Sequence, residues 1–244
     1  MKLNSIYNMD CLEGMKSIPE NSVDMILTDL PYGVTECEWD NIIPFAPLWE
    51  QYNRIAKENA AIVLFAVQPF TTKLIHSNLK DFRYCWYWKK NNVTGAPFAK
   101  VQPMRCIEDI CVFYKKKPTY NPQGLKKLEK PKIREKDKAD KERVYRIRTT
   151  KQHVQKYTNY PVHLLQFSNE AASNKNRLHP TQKPLALCEY LIKTYTNEND
   201  VVFDSCAGSG TTLVAAKKNG RQYIGFEAAE KYYNTAVERL FNCC

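Results

Sequence analysis

The chain has 244 residues, 43% of them hydrophobic and 25% charged, which is enough apolar material to bury one sizeable core. It contains no apolar run long enough for a membrane span or a secretory leader, so we expect a cytoplasmic protein with no membrane contact. The nine cysteines and four histidines show no metal-ligand spacing, which predicts free thiols and no metal site.

The net charge of +10 is concentrated in one stretch of the chain. Residues 115–156 carry sixteen basic and five acidic side chains, a net charge of +11, which leaves −1 for the rest. Such a run is typical either of a solvated loop or of an arm that contacts a polyanion, and charge alone favours neither. We therefore divide the chain into a first part, 1–115, a basic insert, 116–159, and a second part, 160–244.

Both parts alternate between strand and helix patterns. Before the insert, the order is a strand at 23–28, a helix at 44–56, a strand at 60–65, a helix at 69–77, and strands at 82–88 and 107–114. After it come a strand at 162–167, a helix at 184–195, a strand at 201–203, a helix at 211–218, a strand at 222–226 and a helix at 228–240. This alternation predicts an α/β fold with a doubly wound, mostly parallel sheet.

A small-residue turn follows the strand at 201–203, where residues 204–212 read DSCAGSGTT. Gly208 and Gly210 allow a ligand to approach the backbone, and the next helix offers free N–H groups at its first turn. No lysine follows, so the turn is not a phosphate-binding P-loop. Glu227 ends the next strand, where a carboxylate can accept hydrogen bonds from ribose hydroxyls. The pattern predicts a site for a nucleoside-bearing ligand.

A second motif, Asp29-Leu30-Pro31-Tyr32, follows the strand at 23–28. It combines a carboxylate, a backbone carbonyl and an aromatic ring within four residues. Two acceptors and a ring suit an exocyclic amino group on a stacked base. Taken alone, the motif is more typical of a strand-ending turn with a surface tyrosine.

Together these motifs resemble those of the β group of S-adenosylmethionine-dependent DNA amino-methyltransferases, which methylate adenine N6 or cytosine N4. Their amino-group motif is D/N/S-P-P-Y/F/W, and their cofactor motif resembles residues 203–211. Residues 179–184 (HPTQKP) and the acidic turn at 10–13 (DCLE) also look like family signatures, and the order of the motifs matches. Leu30 departs from the usual proline, but it keeps the carbonyl, and Pro31 still restricts it to extended conformations.

The resemblance implies a permuted Rossmann-like methyltransferase fold with a seven-stranded sheet, and S-adenosylmethionine as the cofactor. It assigns the catalytic motif to Asp29, Leu30, Pro31 and Tyr32. It assigns cofactor binding to Asp10, Lys183, Asp204, Cys206, Ala207, Gly208, Ser209, Gly210, Thr211 and Glu227. Within this set, Asp10 would contact the cofactor adenine, Glu227 the ribose, and Lys183 the cofactor carboxylate.

The resemblance also implies a function, which is methyl transfer to the N6 amino group of an adenine flipped out of double-stranded DNA. N4-cytosine methylation is the closest alternative. Methylation of RNA or a protein amide, and a nucleic-acid-binding protein with a degenerate cofactor site, are more distant ones. The resemblance leaves open whether the protein forms a homodimer and whether a companion restriction nuclease exists.

The basic insert falls where this family keeps its target-recognition region. We expect Lys126, Lys127 and Lys130 to contact phosphates, which position a protein on DNA without reading sequence. Residues 144–150 (VYRIRTT) alternate like a strand, so Arg146 and Arg148 would reach base edges from one face.

Overall fold

The computed structural model describes residues 1–33, 40–134, 153–168 and 182–243, and these confirm the α/β fold. The chain forms two compact units, unit 1 (residues 1–121 and 163–244) and unit 2 (residues 122–162). The strands are β1 (Ser5–Asn8), β2 (Val23–Asp29), β3 (Ala56–Ala66), β4 (Phe82–Thr94), β5 (Arg105–Phe113), β6 (Lys126–Arg134), β7 (His153–Thr158), β8 (Leu164–Gln166), β9 (Val201–Asp204) and β10 (Gln222–Glu227). The helices are α1 (Cys11–Met15), α2 (Phe45–Ile55), α3 (Phe70–Ser77), α4 (Leu185–Tyr195), α5 (Thr211–Lys218) and α6 (Glu230–Phe241), with a short 3-10 helix at Ala96–Phe98.

The main sheet of unit 1 has the strand order β1-β10-β9-β2-β3-β5-β4-β8. The first five strands are mutually parallel, and β5 runs antiparallel to both of its neighbours. Among the described residues the sheet therefore has eight strands, where the family resemblance implied seven. The strand that the sequence pattern missed is β1, whose four residues include no buried side chain and so show no apolar run.

Helices cover both faces of the sheet. Alternate residues of its central strands point to opposite faces, so both sets of side chains are buried. Met25 and Leu27 of β2 pack in one apolar cluster with helices α4 and α5. Ile26, between them in sequence, packs in a second cluster with helices α1, α2 and α3. The strands hence read as continuous apolar runs, and the helices that cover them are amphipathic.

The chain changes direction across the sheet between β9 and β2. From β9 the chain continues outward to β10, and from β2 it continues outward to β3, on the other side. In doubly wound sheets, ligands bind in the crevice at the carboxyl ends of the strands at this switch point. The two motifs singled out in the sequence follow β2 and β9, so the topology places them at this crevice.

Unit 2 contains an antiparallel ladder of β6 and β7, in which Ile133 lies opposite Val154. Lys126, Lys127 and Lys130 lie on β6 and are exposed. Arg146 and Arg148, with the strand expected at 144–150, lie outside the described residues.

In the part of the chain that the structure describes, no helix combines the length and the apolar character needed to cross a bilayer. Within the same residues, no group of three or more His, Cys, Asp or Glu side chains is arranged to hold a metal ion.

Candidate active site

A cavity of about 540 Å³ opens at the switch point of unit 1. The carboxyl ends of three strands border it through Asp29 of β2, Asp204 of β9 and Glu227 of β10. Its volume lies within the range of small-molecule and cofactor sites. The site residues that the sequence predicts and that line this cavity are Asp10, Asp29, Leu30, Pro31, Tyr32, Lys183, Asp204, Cys206, Ala207, Gly208, Ser209, Thr211 and Glu227.

The turn after β2 is fixed by hydrogen bonds at both ends. The Tyr32 hydroxyl donates to Asp29 Oδ1 at 2.5 Å, and the backbone N–H groups of Tyr32 and Gly33 donate to Asp40 Oδ1 at 2.7 and 2.9 Å. The Tyr32 ring also packs against Phe70, with centroids 5.1 Å apart. Leu30, where the family has proline, is only 3% exposed and packs in the core. Side-chain packing thus holds the loop that proline rigidity would otherwise hold.

Four side chains of alternating charge form a series of ion pairs that begins at the cavity with Asp29 and continues through Lys183, Glu108 and Lys90. Lys183 Nζ lies 2.6 Å from Asp29 Oδ2 and 3.4 Å from Glu108 Oε2. Glu108 Oε1 in turn lies 2.8 Å from Lys90 Nζ. The Lys183, Glu108 and Lys90 side chains are only 9–12% exposed, so their charges are screened mainly by each other. We call this series the ion chain.

The ion chain determines which of these groups carry charge. Burial raises the pKa of Asp29, and the Lys183 cation opposes that rise. Burial alone would lower the pKa of Lys183, but Asp29 and Glu108 raise it more, so its pKa lies above the usual range. For Glu108, burial is outweighed by the two lysines, and its pKa is lowered. Lys183 therefore stays protonated and favours an ionised Asp29.

The turn after β9 is organised by two carboxylates. Asp204 Oδ1 accepts the N–H of Cys206 at 3.1 Å, and Glu227 accepts the N–H groups of Gly208 and Ala229 at 2.7 and 2.9 Å. Burial raises the pKa of Glu227, against these hydrogen bonds, which lower it. Burial also raises the pKa of Asp204 to about 7, because its hydrogen-bond donors only partly offset the desolvation.

Gly210 and Asp10 have clear structural reasons for their identities. Gly210 has φ +77°, and a Cβ there would lie 2.9 Å from the Cβ of Ala236, so only glycine fits where the turn meets α6. It is not among the residues that line the cavity. Asp10 caps α1 by accepting the N–H groups of Leu12 and Glu13 at 2.9 and 3.1 Å.

Sequence reasoning missed three supporting residues, Asp40, Glu108 and Lys90. Asp40 lies next to residues 34–39, which the structure does not describe, and nothing in its sequence context marks it. Glu108 carried a signal, because the adjacent carboxylates Glu108 and Asp109 interrupt an apolar strand, and a carboxylate that is buried there needs a partner. Residues 179–181 of the HPTQKP segment lie outside the described part, whereas Gln182 and Lys183 line the cavity.

The donors and acceptors around this cavity fit S-adenosylmethionine. Glu227 and Asp10 offer carboxylates for hydroxyl and amino groups, and the turn at 207–209 offers small residues that admit a ligand to the backbone. A family model described as a DNA methylase matches residues 23–238. The chain belongs to the N6/N4 DNA methylase family. It is an S-adenosylmethionine-dependent DNA methyltransferase.

Individual relatives of the methylase agree with this placement. It is 29% identical to the type II methyltransferase M.HpaI of Haemophilus parainfluenzae, over 95% of this chain and 72% of the relative. It is 23% identical to M.HindIII of Haemophilus influenzae, over 98% and 95% of the two chains.

Two solved structures of methyltransferases illustrate the shared fold. PvuII DNA methyltransferase, described as cytosine-N4-specific, superposes with a TM-score of 0.70 at 20% identity, over 96% of this chain and 85% of that one. The complex of M1.HpyAVI with S-adenosylmethionine superposes with a TM-score of 0.63 at 25% identity, over 96% and 98%.

Proposed function

We propose that the methylase modifies the N6 amino group of an adenine flipped out of double-stranded DNA. One observation carries the proposal: the Asp29 carboxylate and the Tyr32 ring border the same cavity as the cofactor turn at 204–211. An amino group bound at Asp29 therefore shares one enclosed space with the cofactor. The Tyr32 ring gives the extruded base a surface to stack on, a contact of about 1–3 kcal/mol.

Asp29 acts as an acceptor for the target amino group. The lone pair of that nitrogen is delocalised into the base, which makes it a poor nucleophile. An ionised Asp29 and the Leu30 carbonyl together accept its two N–H groups and favour a pyramidal nitrogen with a directed lone pair. Tyr32 and Lys183 each engage one Asp29 oxygen, but a carboxylate has about four lone-pair sites, so acceptor capacity remains.

S-adenosylmethionine supplies a methyl group on a positively charged sulfur when it is bound. The residues of this chain orient it and align the amino group with it, which is catalysis by positioning and electrostatics. Asp10 is assigned to the cofactor adenine, Glu227 to the ribose and the Asp204–Gly210 turn to the methionine part. Because the Lys183 ammonium already contacts Asp29 and Glu108, we assign it to holding Asp29 ionised rather than to the cofactor carboxylate.

N4 of cytosine is the second candidate target. It is also an exocyclic amino group, so the same two acceptors would serve it, and a cytosine-N4-specific enzyme shares the fold. We favour adenine because the motif at 29–32 carries Asp and Tyr. The names of the type II relatives also suggest a companion restriction nuclease that recognises the same site.

Single-molecule sequencing of DNA from cells that express the chain tests the proposal. We expect modified adenines at one recognition motif, and none in cells that express Asp29→Ala. Modified cytosine at one motif would replace the adenine assignment with the cytosine one. Unmodified DNA, with soluble protein that binds S-adenosylmethionine, would refute the proposed function.

A further inference from the structure

The connection between β4 and β5 forms a self-supporting projection, which we call the rim hairpin (residues 89–107). Its turn is closed by its own backbone: the N–H of Phe98 donates to Gly95 O and that of Val101 to Phe98 O, both at 2.9 Å. Gly95 enables the reversal with φ +94°. Residues 91–105 are exposed apart from a half-buried Gly95, so this turn is built without a core of its own.

The base of the rim hairpin borders the cavity. Thr94 and Arg105 face each other across the two strands, and both line the cavity that contains Asp29. The Thr94 hydroxyl donates to Arg105 O at 3.3 Å, which ties the two strands together at this point. A base that enters the cavity therefore passes beside this hairpin.

The outer part of the rim hairpin presents apolar side chains to solvent. Phe98 is 54% exposed, Val101 82%, Val93 53% and Met104 38%, all within twelve residues. Single exposed apolar side chains are common on protein surfaces, but several of them on one short segment are typical of an interaction surface.

The charge of the same segment identifies the partner. Residues 89–107 contain no acidic residue; Lys89, Lys100 and Arg105 are exposed cations, whereas the fourth cation, Lys90, is paired with Glu108 in the ion chain. A surface that combines cations with apolar side chains can bind a partner that has negative charges outside and apolar faces inside. A duplex from which one base has been extruded is such a partner, with phosphates outside and exposed stacking faces within. Proteins that deform duplex DNA insert Phe, Met and similar side chains between base steps in this way.

We propose that the rim hairpin is the wedge that keeps the duplex open, with Phe98 and Val101 filling the space left by the extruded base and Arg105 holding a flanking phosphate. This inference rests on the proposed function, because it takes DNA with a flipped base as the substrate. The hairpin lowers the cost of opening the duplex and takes no part in methyl transfer itself.

The test compares two duplexes that carry the recognition site found by sequencing. One is fully paired, and the other has an abasic site opposite the target base, which removes its pairing in advance. The variants are Phe98→Ser and Val101→Ser, and the control is Leu79→Ser, since Leu79 is 66% exposed and lies near the opposite end of β4. Cofactor affinity is measured for each protein by calorimetry.

We expect Phe98→Ser to slow methylation of the paired duplex about tenfold, the order of one base–aromatic stacking interaction, and to leave the abasic duplex within about threefold of wild type. The fluorescence of 2-aminopurine at the target position should fall in parallel on the paired duplex only. Leu79→Ser and cofactor affinity should be unchanged.

Two results would overturn the wedge. One is wild-type rates for both hairpin variants on the paired duplex. The other is an equal loss on the paired and abasic duplexes, which would make the hairpin a general binding surface. Failure of the proposed function shows separately, as an absence of modified adenine with the wild-type chain. If cytosine is modified instead, the two duplexes are built around that cytosine.

Discussion

Two aspartates, the partly buried Asp29 and the buried Asp204, end neighbouring strands of the same sheet and have different partners. Asp29, at the end of β2, has a lysine ammonium 2.6 Å away, and that lysine is balanced by Glu108. Asp204, at the end of β9, has backbone and hydroxyl donors and no cation among the described residues that contact it. Burial raises the pKa of both, but only Asp29 has a cation that opposes the rise.

The difference indicates that neighbouring charges act beside burial in setting the pKa of a carboxyl group. At the side that we propose for the target base, an ionised acceptor is useful, and Lys183 supplies the compensating charge. At the side that we propose for the cofactor, the ligand is itself cationic, and burial raises the pKa of Asp204 to about 7. Substitutions that change one side at a time separate the two roles.

The largest effect is expected from Asp29→Ala. Removing the charged acceptor should lower kcat by about a thousandfold, as for the loss of a preorganised transition-state contact. The affinity for S-adenosylmethionine, measured by calorimetry, should stay within a few-fold. Asp29→Asn keeps one acceptor oxygen and should lose less. Near-normal turnover in Asp29→Ala would remove this residue from the mechanism.

Asp204→Asn should change how stability depends on pH. The folded-state pKa of Asp204 is raised, so wild type gains stability at low pH and loses it as the pH rises through about 7. Relative to Asp204→Asn, the unfolding free energy of wild type should fall by about 1.4 kcal/mol per pH unit between pH 5 and 7. Urea denaturation at several pH values measures this. Parallel profiles would contradict the assignment.

Lys183→Met should raise the pKa of Asp29, because it removes the cation that lowers this pKa. Without its cation, the pKa of Asp29 rises further, so the acid limb of the kcat profile should shift to higher pH. One nearby cation lowers a carboxyl pKa by about 1–3 units, so the acid limb should move up by about 1–3 pH units and kcat should recover at higher pH. The control is Lys16→Met, which removes an exposed ion pair with Glu13. A uniform loss at all pH values would indicate a different role.

Glu227→Ala should weaken cofactor binding. It removes the acceptor for the N–H groups of Gly208 and Ala229, and with it the shape of the turn as well as the proposed ribose contact. Each hydrogen bond to a charged group contributes about 1.5–3 kcal/mol, so we expect at least a tenfold higher Kd. Glu230→Ala, an exposed neighbour on α6, serves as control. Unchanged affinity would place the cofactor elsewhere.

The smallest effect is expected in unit 2. Replacing the three exposed lysines of β6 with glutamine should weaken binding to all DNA sequences alike, and flatten the slope of log K against log salt by about 0.9 for each phosphate that the protein no longer neutralises. A matched triple variant on unit 1 provides the control, with Lys16, Lys80 and Lys218 replaced. A change in site preference with an unchanged salt slope would contradict the phosphate role of Lys126, Lys127 and Lys130.

The sequence predicted the architecture well where apolar runs are long. Strands β2 and β3 and helix α2 lie within a few residues of their predicted bounds, because each buries a continuous or amphipathic stretch. The same patterns say little about short or exposed elements such as β1.

The site was predictable only in part. Local motifs indicated Asp29, Asp204 and Glu227, since each ends a recognisable strand. The ion pair of Asp29 with Lys183 joins residues 154 positions apart, and no local pattern encodes it. Glu108, which contacts Lys183, lies on the antiparallel strand β5. The position of β5 between β3 and β4 is known only from the order of strands in the folded sheet.

The sheet order also makes the two parts of unit 1 interdependent. Residues 1–121 contribute Asp29 and Tyr32 to the cavity, whereas residues 163–244 contribute Lys183 and the turn after β9. Three strand pairs join the parts, β1 with β10, β2 with β9 and β4 with β8. Two separately expressed fragments would each lack half of the cavity, and each would leave strand edges unpaired. Methylation of a reporter plasmid would then depend on association of the two fragments. The two parts of this sheet could therefore be used to build a split enzyme that reports association.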